Sequence, residues 1–354
     1  MQYIFLDEIQ RLPRWELYLK KAYDLKLPVR FVISGSASSP IFRSSQESLL
    51  GRIKDRHLLP FSFREFCLFR LKDQADFSSI IADHLKLRPL LLEGKGKESW
   101  ALIRDLHVNL QKFGKQIDQL VLTYCREGGF PEVWELPDSV RKIEYLMEQQ
   151  IRKVLYEDLT TIIQYRKPEN VLRFFVYLLA HPGVELNLST ISKDIGIDRR
   201  VIEENLPRLE YTDMIMRVRK FVHQPVRVRQ GNIKCYPVDM ALRNAVFKTW
   251  DIPDETIMGL FAENLVVREL NTWPEKIEIT YYREKDQEVD FVVAYGGNNF
   301  LPIEVKPHRR EKFTSLKKFC TQFHAPFGVV ITREREVWQD EFLFIPLRYF
   351  LLTI

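Results

Sequence analysis

The stretch Glu288–Lys306, EVDFVVAYGGNNFLPIEVK, reads as two strands flanking the loop Tyr295–Asn299. If Ala294 pairs with Phe300, Asp290 lies opposite Glu304 and Glu288 opposite Lys306. Period-two alternation then predicts all four side chains on one face, with Phe291, Val293, Ile303 and Val305 on the other. Two carboxylates about 5 Å apart repel by roughly 3 kcal/mol at an effective dielectric near 20. Something cationic is therefore expected between Asp290 and Glu304.

Working outward, the pattern predicts a helix over Gly259–Asn271, strands over Ile277–Arg283, Glu288–Ala294 and Phe300–Lys306, a helix over Lys312–Phe323, and a strand over Phe327–Thr332. This αβββαβ order is the core of the restriction-endonuclease-like fold, whose PD-(D/E)xK chemistry maps here onto Asp290, Glu304 and Lys306, with Glu263 on the first helix. Mg²⁺ or Mn²⁺ held by Asp290 and Glu304 could generate hydroxide and stabilise a pentavalent phosphoryl transition state, with Lys306 steering the water. The proline that commonly precedes the aspartate is absent, Val289 standing in its place. In the alternative, Lys306 pairs with Glu288 across the strands and Asp290 is solvated.

At the other end, Tyr3–Leu6 runs into Asp7-Glu8, as a Walker B strand does when it ends in its acidic pair. The competing explanation is a buried strand whose acidic residue caps the next helix. A helix over Trp15–Leu25 and a second apolar strand ending at Ser34-Gly35-Ser36 follow, then Gly51-Arg52, a short strand at His57–Leu59, and Pro60-Phe61-Ser62-Phe63. The order LDEIQ, SGS, LLGR, LPFSFREF and GGFPE (Gly128–Glu132) resembles a prokaryotic family of predicted AAA-type ATPases, the archaeal type with a winged helix and a C-terminal restriction-endonuclease-like domain of unknown function.

That resemblance covers nearly the whole chain. It implies that Asp7 holds Mg²⁺ through water, that Glu8 orients the attacking water, that Ser36 is the sensor 1 residue and that Arg52 is a candidate arginine finger. ATP is the cofactor of the complete family. Its phosphate-binding loop, G-x-x-x-x-G-K-S/T, is missing, because Gly94-Lys95 and Gly114-Lys115 lack the following hydroxyl and the preceding glycine. The expectation is an N-terminally shortened polypeptide, or a misassigned start at Met1, in which the inherited Asp7, Glu8, Ser36 and Arg52 do not bind nucleotide.

Residues 61–166 read as a helical lid and connector, with Ile143, Leu146, Met147, Ile151, Val154 and Leu155 on one face. An unrelated helical bundle would give the same pattern. Residues 167–250 read as a winged helix, with a helix ending at His181-Pro182-Gly183, a short one from Ser189-Thr190, a turn at Gly196 and a third from near Asp198. Between Met214 and Val238 the cations Arg217, Arg219, Lys220, Arg227, Arg229 and Lys234 stand without any Asp or Glu, as a hairpin touching DNA phosphates would. A winged helix used only for packing is the competing reading, and Pro207 inside the presumed recognition helix favours a kink. Lys234, Tyr236 and Asp239 match the family's bridge out of this unit.

The formal net charge of the 354 residues is +5, and neither the four cysteines nor the seven histidines form a CxxC, HExxH or His/Cys grouping. A disulfide framework or zinc site is thereby disfavoured, and a reducing, cytoplasmic setting without membrane spans is expected. The chain reads as an α/β multidomain protein: 1–60 a partial P-loop ATPase sheet, 61–166 the helical lid, 167–250 the winged helix, and 254–354 the nuclease-like αβββαβ domain. The expected function is a DNA-associated ATPase-family protein with a Mg²⁺-dependent nuclease domain, with a protein partner or homo-oligomer as further associations. The alternatives are a non-catalytic DNA-binding or assembly module, and a regulatory ATPase acting on protein partners.

Overall fold

A computed structural model describes residues 2–9, 12–35, 52–54, 56–158, 167–222, 232–250, 255–274, 276–306 and 313–354. Strand β1 (Gln2–Leu6) pairs in parallel with β2 (Val29–Ile33) through the crossover helix α1 (Trp15–Asp24). Leu6, Leu19, Ile33 and Ile53 pack on Ile9 and Trp15. Tyr3 and Phe5 on β1 stay 54% and 73% exposed. The strand expected at His57–Leu59 has no ladder partner among the described residues. Leu58 there is solvated and His57 meets Asp213 at 2.8 Å.

The helical region opens with α2 (Phe63–Arg70), where Ser62 and Glu65 cap each other reciprocally, so a sequence of ordinary propensity starts sharply. It continues through α3 (Gly96–Leu110) and α4 (Gly114–Glu127) to a π-helical segment, Leu146–Asp158. Leu146, Ile151 and Leu155 are fully buried, with Ile143, Met147 and Val154 packed beside them, so the expected apolar face is real. Its spacing of five and then four residues suits the wider π-helical turn.

Three helices follow, α5 (Pro168–Ala180), α6 (Leu188–Ile195) and α7 (Arg199–Tyr211). The Asn187 side chain accepts from the Ser189 and Thr190 amides at 3.1 Å, and Asp198 accepts from the Arg200 amide at 2.8 Å. Gly196, at φ +64°, makes the left-handed turn between them. Helix α7 runs on past Pro207 to Tyr211.

The hairpin β3 (Ile215–Lys220) and β4 (Ile233–Pro237) does not stand free as a wing. It joins β5 (Ile277–Glu284), β6 (Gln287–Tyr295), β7 (Asn299–Val305), β8 (Gly328–Thr332), β9 (Val337–Gln339) and β10 (Phe342–Pro346) in one sheet of order β4-β3-β5-β6-β7-β8-β10-β9. The weld is the parallel pairing of Arg219 with Thr280 and Lys220 with Tyr281. Helix α8 (Met240–Phe247) then leads into α9 (Glu255–Asn271). Phe261, Val266 and Leu270 of α9 join the principal core, to which Ile303 and Val305 of the sheet also belong. Helix α10 (Thr314–Phe323) contributes Leu316 and Phe319 to a second apolar layer with Val289, Val292 and Phe300. The chain closes with α11 (Leu347–Thr353), and Arg64 of α2 donates to the carbonyl of Ile354.

The motifs of the sequence resemblance converge on one buried clamp. The Phe61 amide donates to the Gly129 carbonyl at 2.7 Å, and the Tyr124 hydroxyl to the Phe61 carbonyl at 2.6 Å. Buried Asp239 accepts from the Gly129 amide at 2.7 Å and the Ala241 amide at 2.8 Å. Arg268 of α9, fully buried, pairs with Glu269 at 2.9 Å and donates to the Pro60 carbonyl. Burial pushes the Asp239 and Glu269 carboxyls up, and the Arg268 charge opposes it. LPFSFREF, GGFPE and PVDMALRNA thus couple the helical region to the large sheet.

Candidate functional site

Strands β6 and β7 pair in the register read from the sequence, Ala294 with Phe300 down to Phe291 with Ile303. The ladder stops there, and side chains take over from the backbone. Asp290 Oδ2 accepts from the Val305 amide at 2.7 Å, while the Glu304 carboxylate is held by the Asp290 amide. Asp290 and Glu304 are therefore gathered as expected, but by a reciprocal clasp. Both are buried, which removes the alternative of a solvated Asp290.

The expected strict alternation fails one step away. A bulge between Thr280 and Tyr282 sets Thr280 against Val292 but Tyr282 against Val289. Val289 and Val292, three residues apart, accordingly lie in the same apolar layer. Glu288, expected opposite Lys306, pairs instead with Lys234 Nζ at 2.6 Å and lies 3.8 Å from Arg283. Lys306 Nζ sits 3.2 Å from Glu304 Oε1. Half-buried Glu263 on α9 receives the Tyr236 hydroxyl at 3.4 Å.

Asp290, Glu304 and Glu263 thus share a poorly solvated volume beside Lys234 and Lys306, and burial governs the ionisation of these three acids. It raises the Glu304 carboxyl to about 8, with the Asp290 charge adding to the rise and Lys306 opposing it. It raises Glu263 to about 7, again with help from Asp290 and against Lys234 and Lys306. Asp290 is raised by the same desolvation and held down by Lys306 and the Val305 amide. Buried Glu304 Oε2 has no hydrogen-bond partner among the described residues.

Among the described residues no three His, Cys, Asp or Glu side chains are placed to hold a metal ion. Mg²⁺ commonly makes do with one or two carboxylates, completing its shell with water and substrate phosphate. The pair Asp290 and Glu304, with an unpartnered oxygen, fits that donor set. The buried thiols of Cys125 and Cys235, like that of Cys320, are pushed up to about 12, so none offers a thiolate.

A raised carboxyl sets a definite sign for pH dependence. Below about 4.5 Glu304 is protonated in both folded and unfolded chains and contributes nothing. Between 4.5 and about 8 the unfolded chain releases a proton that the folded one keeps, so stability falls as pH rises. The slope reaches at most about 1.4 kcal/mol per pH unit for one carboxyl. In chelator, Glu304→Gln is therefore expected to melt well above the parent at pH 8.5 and to lose that advantage at pH 5. Thermal unfolding at the two pH values checks this, and a pH-independent difference would count against it.

The other residues singled out in the sequence are dispersed. Asp7 accepts from the Ser34 hydroxyl at 2.5 Å and the Glu8 amide at 3.0 Å, with Glu8 left-handed at φ 49°. Arg52 lies 3.4 Å from Asp24 of α1, and Ser36 falls outside the described residues. On β3, Arg217 is engaged with Glu210 of α7, Arg219 is exposed and Lys220 is half-buried. Arg227 and Arg229 fall outside the described residues. Lys234 is the cluster member that pattern reading left in the bridge. Its signal was a lysine between Ile233 and Cys235 in an otherwise apolar strand.

With β1, α1 and β2 in place, the parallel pair ending in Asp7 and Ser34 can be set against known proteins. Residues 1–67 match the family model of an AAA domain. The AAA-domain match ends inside α2. Residues 118–251 match a domain of unknown function, DUF8612, and residues 258–350 another, DUF4143. The large sheet crosses the border between these two, β3 and β4 lying in the first and β5–β10 in the second. The chain is 23% identical over 359 residues to uncharacterized protein MJ1637 of Methanocaldococcus jannaschii, covering 99% of this chain and 70% of that protein. It is 24% identical over 328 residues to uncharacterized protein MJ1544 of the same organism, covering 89% and 64%. No solved structure matches. No described helix is long and apolar enough to cross a membrane.

Proposed function

We propose that the Asp290–Glu304–Lys306 cluster is the centre of a Mg²⁺- or Mn²⁺-dependent phosphodiesterase acting on DNA, carried by a protein of AAA-ATPase type. The observation that carries this reading is the buried, unpartnered Glu304 Oε2 beside Asp290, with the Lys306 ammonium 3.2 Å from the other oxygen. Leaving such an oxygen unsatisfied costs about 1–3 kcal/mol or more, and a divalent cation is the ligand that would recover it. Asp290 and Glu304 would hold the ion, which supplies an acidified water and Lewis-acid stabilisation of phosphate. The Val305 and Asp290 amides fix the two carboxylates, and Lys306 orients the incoming water. Glu263 and Tyr236 close the α9 side. At the other end, Asp7 and Glu8 would serve Mg²⁺ and water in an ATP site of AAA type.

A non-catalytic assembly module is the second reading, favoured by Lys234 and Lys306, which already pair with Glu288 and Glu304. Plasmid nicking separates the two. The full chain with Mn²⁺ is expected to convert supercoiled plasmid to open circle, and Asp290→Asn to lose the activity along with Mn²⁺-dependent thermal stabilisation. A wild-type chain that neither nicks nor melts differently with Mn²⁺ would leave the assembly reading.

A further inference from the structure

The turn between β5 and β6 projects between two concavities. The first, about 560 Å³, is enclosed by residues 185–189, the start of α7, the outer end of β3 and the β5–β6 hairpin; Arg199, Lys220, Arg283 and Lys285 face it. The second, about 610 Å³, lies across the same turn against α10, where Lys317 and Lys318 join Lys285. Glu185 and Glu284 also line them, and among the described residues no aliphatic or aromatic side chain does so apart from Leu186 and Leu188. Arg199, Arg283, Lys285, Lys317 and Lys318 are all exposed.

We propose that these two concavities form one continuous seat for a nucleic-acid phosphate backbone, running from the start of α7 over the β5–β6 turn to α10. The aromatic or branched aliphatic anchors that centre a protein interface are confined here to Leu186 and Leu188 at one end of the surface. A row of lysines and arginines with backbone and amide donors between them suits a polyanion. The acid cluster is the neighbour of this seat: Arg283 lies 3.8 Å from Glu288, which contacts Lys234, which in turn acts on Asp290 and Glu263. The choice of DNA as the backbone's source rests on the nuclease reading; the seat itself does not.

The seat differs from the one expected in the sequence. The expected surface was the hairpin near Arg217, but that guanidinium is turned to Glu210 and the hairpin is built into the sheet. Of those cations that lie among the described residues only Lys220 lines the first concavity, and the other cations of the seat come from α7, β5, the β5–β6 turn and α10.

The test is anisotropy of a labelled 30-base-pair duplex (about 100 Å long at 3.4 Å per step) with the full chain in chelator, over a series of salt concentrations. Lys220→Gln/Lys285→Asn and Lys317→Gln/Lys318→Gln are the two double variants. Asn suits residue 285, whose φ is +51°. Lys97→Gln/Lys153→Gln, at exposed helical sites elsewhere, is the control with equal charge loss. Each seat variant is expected to weaken binding by about tenfold and to flatten the log–log salt slope by about 0.9 per lost contact, with an unchanged melting temperature. The control should follow the parent. Equal weakening in the control, unchanged slopes in both seat variants, or no duplex binding by the parent at low salt would overturn the proposal. A parent chain that binds the duplex through this seat yet does not nick plasmid with Mn²⁺ strikes the nuclease reading alone.

Discussion

Lys306→Ala is expected to lower single-turnover nicking by about 10³-fold, a typical contribution of a group that positions or moves a proton in the transition state. The same variant should keep most of its Mn²⁺-dependent rise in melting temperature. Lys306 is 28% exposed at the side chain and its ammonium reaches Glu304 Oε1, so truncation removes no core packing. What it does remove is a positive charge that holds the Glu304 and Asp290 carboxyls down. Without it both carboxyls rise further in the metal-free protein, and a divalent cation becomes the remaining compensation at that end of the cluster. Metal binding should then start at higher pH than in the parent, because the cation must displace a more tightly held proton. Lys306→Arg keeps the charge but replaces a compact ammonium with a planar fork, so partial activity is expected. Nicking by Lys306→Ala within tenfold of the parent would remove Lys306 from the chemistry.

The parts of this site that were legible in the sequence are those fixed by neighbours in the chain. The Ala294–Phe300 register follows from a loop of five residues. The proximity of Asp290 and Glu304 follows from that register, and the turn into α7 from Gly196 and its flanking caps. Helical periodicity likewise located Leu146, Ile151 and Leu155, although not the π-helical winding that accommodates them. What stayed hidden depends on partners distant in sequence. Glu288 could not be assigned to Lys234, 54 residues earlier, without knowing that β3 pairs in parallel with β5. The bulge at Thr280–Tyr282 leaves no mark that alternation alone can detect, because Tyr281 and Tyr282 are both aromatic and serve either layer. The welding of β3 to β5 was hidden in the same way, since a hairpin that stands alone and one joined to a sheet through one of its strands have the same composition. Strands β9 and β10 and helix α11 were passed over, each being seven residues or shorter.

Gly129→Ala is expected to cost more than about 4 kcal/mol, at the far end of what single substitutions do. A methyl group at Gly129 would meet the Phe61 carbonyl oxygen at 2.1 Å, its nitrogen at 2.7 Å and its carbonyl carbon at 2.9 Å. These are backbone atoms, so no side-chain rotation relieves the clash. Moving Phe61 away would break its amide's bond to the Gly129 carbonyl and the bond its own carbonyl receives from Tyr124. Moving residue 129 would withdraw the amide that buried Asp239 accepts from, leaving that carboxylate with the Ala241 amide and the Arg268 charge. Either route leaves buried polar groups unsatisfied, at about 1–3 kcal/mol each, in addition to lost packing around Phe66 and Trp134. Gly114→Ala supplies the contrast, since a methyl there meets nothing within 4 Å at the start of α4. It should stabilise by up to about 1 kcal/mol through helix propensity alone. Urea unfolding of the two variants gives the comparison directly. A Gly129→Ala chain within about 1 kcal/mol of the parent would mean that the contact between GGFPE and LPFSFREF does not hold the helical region to the sheet.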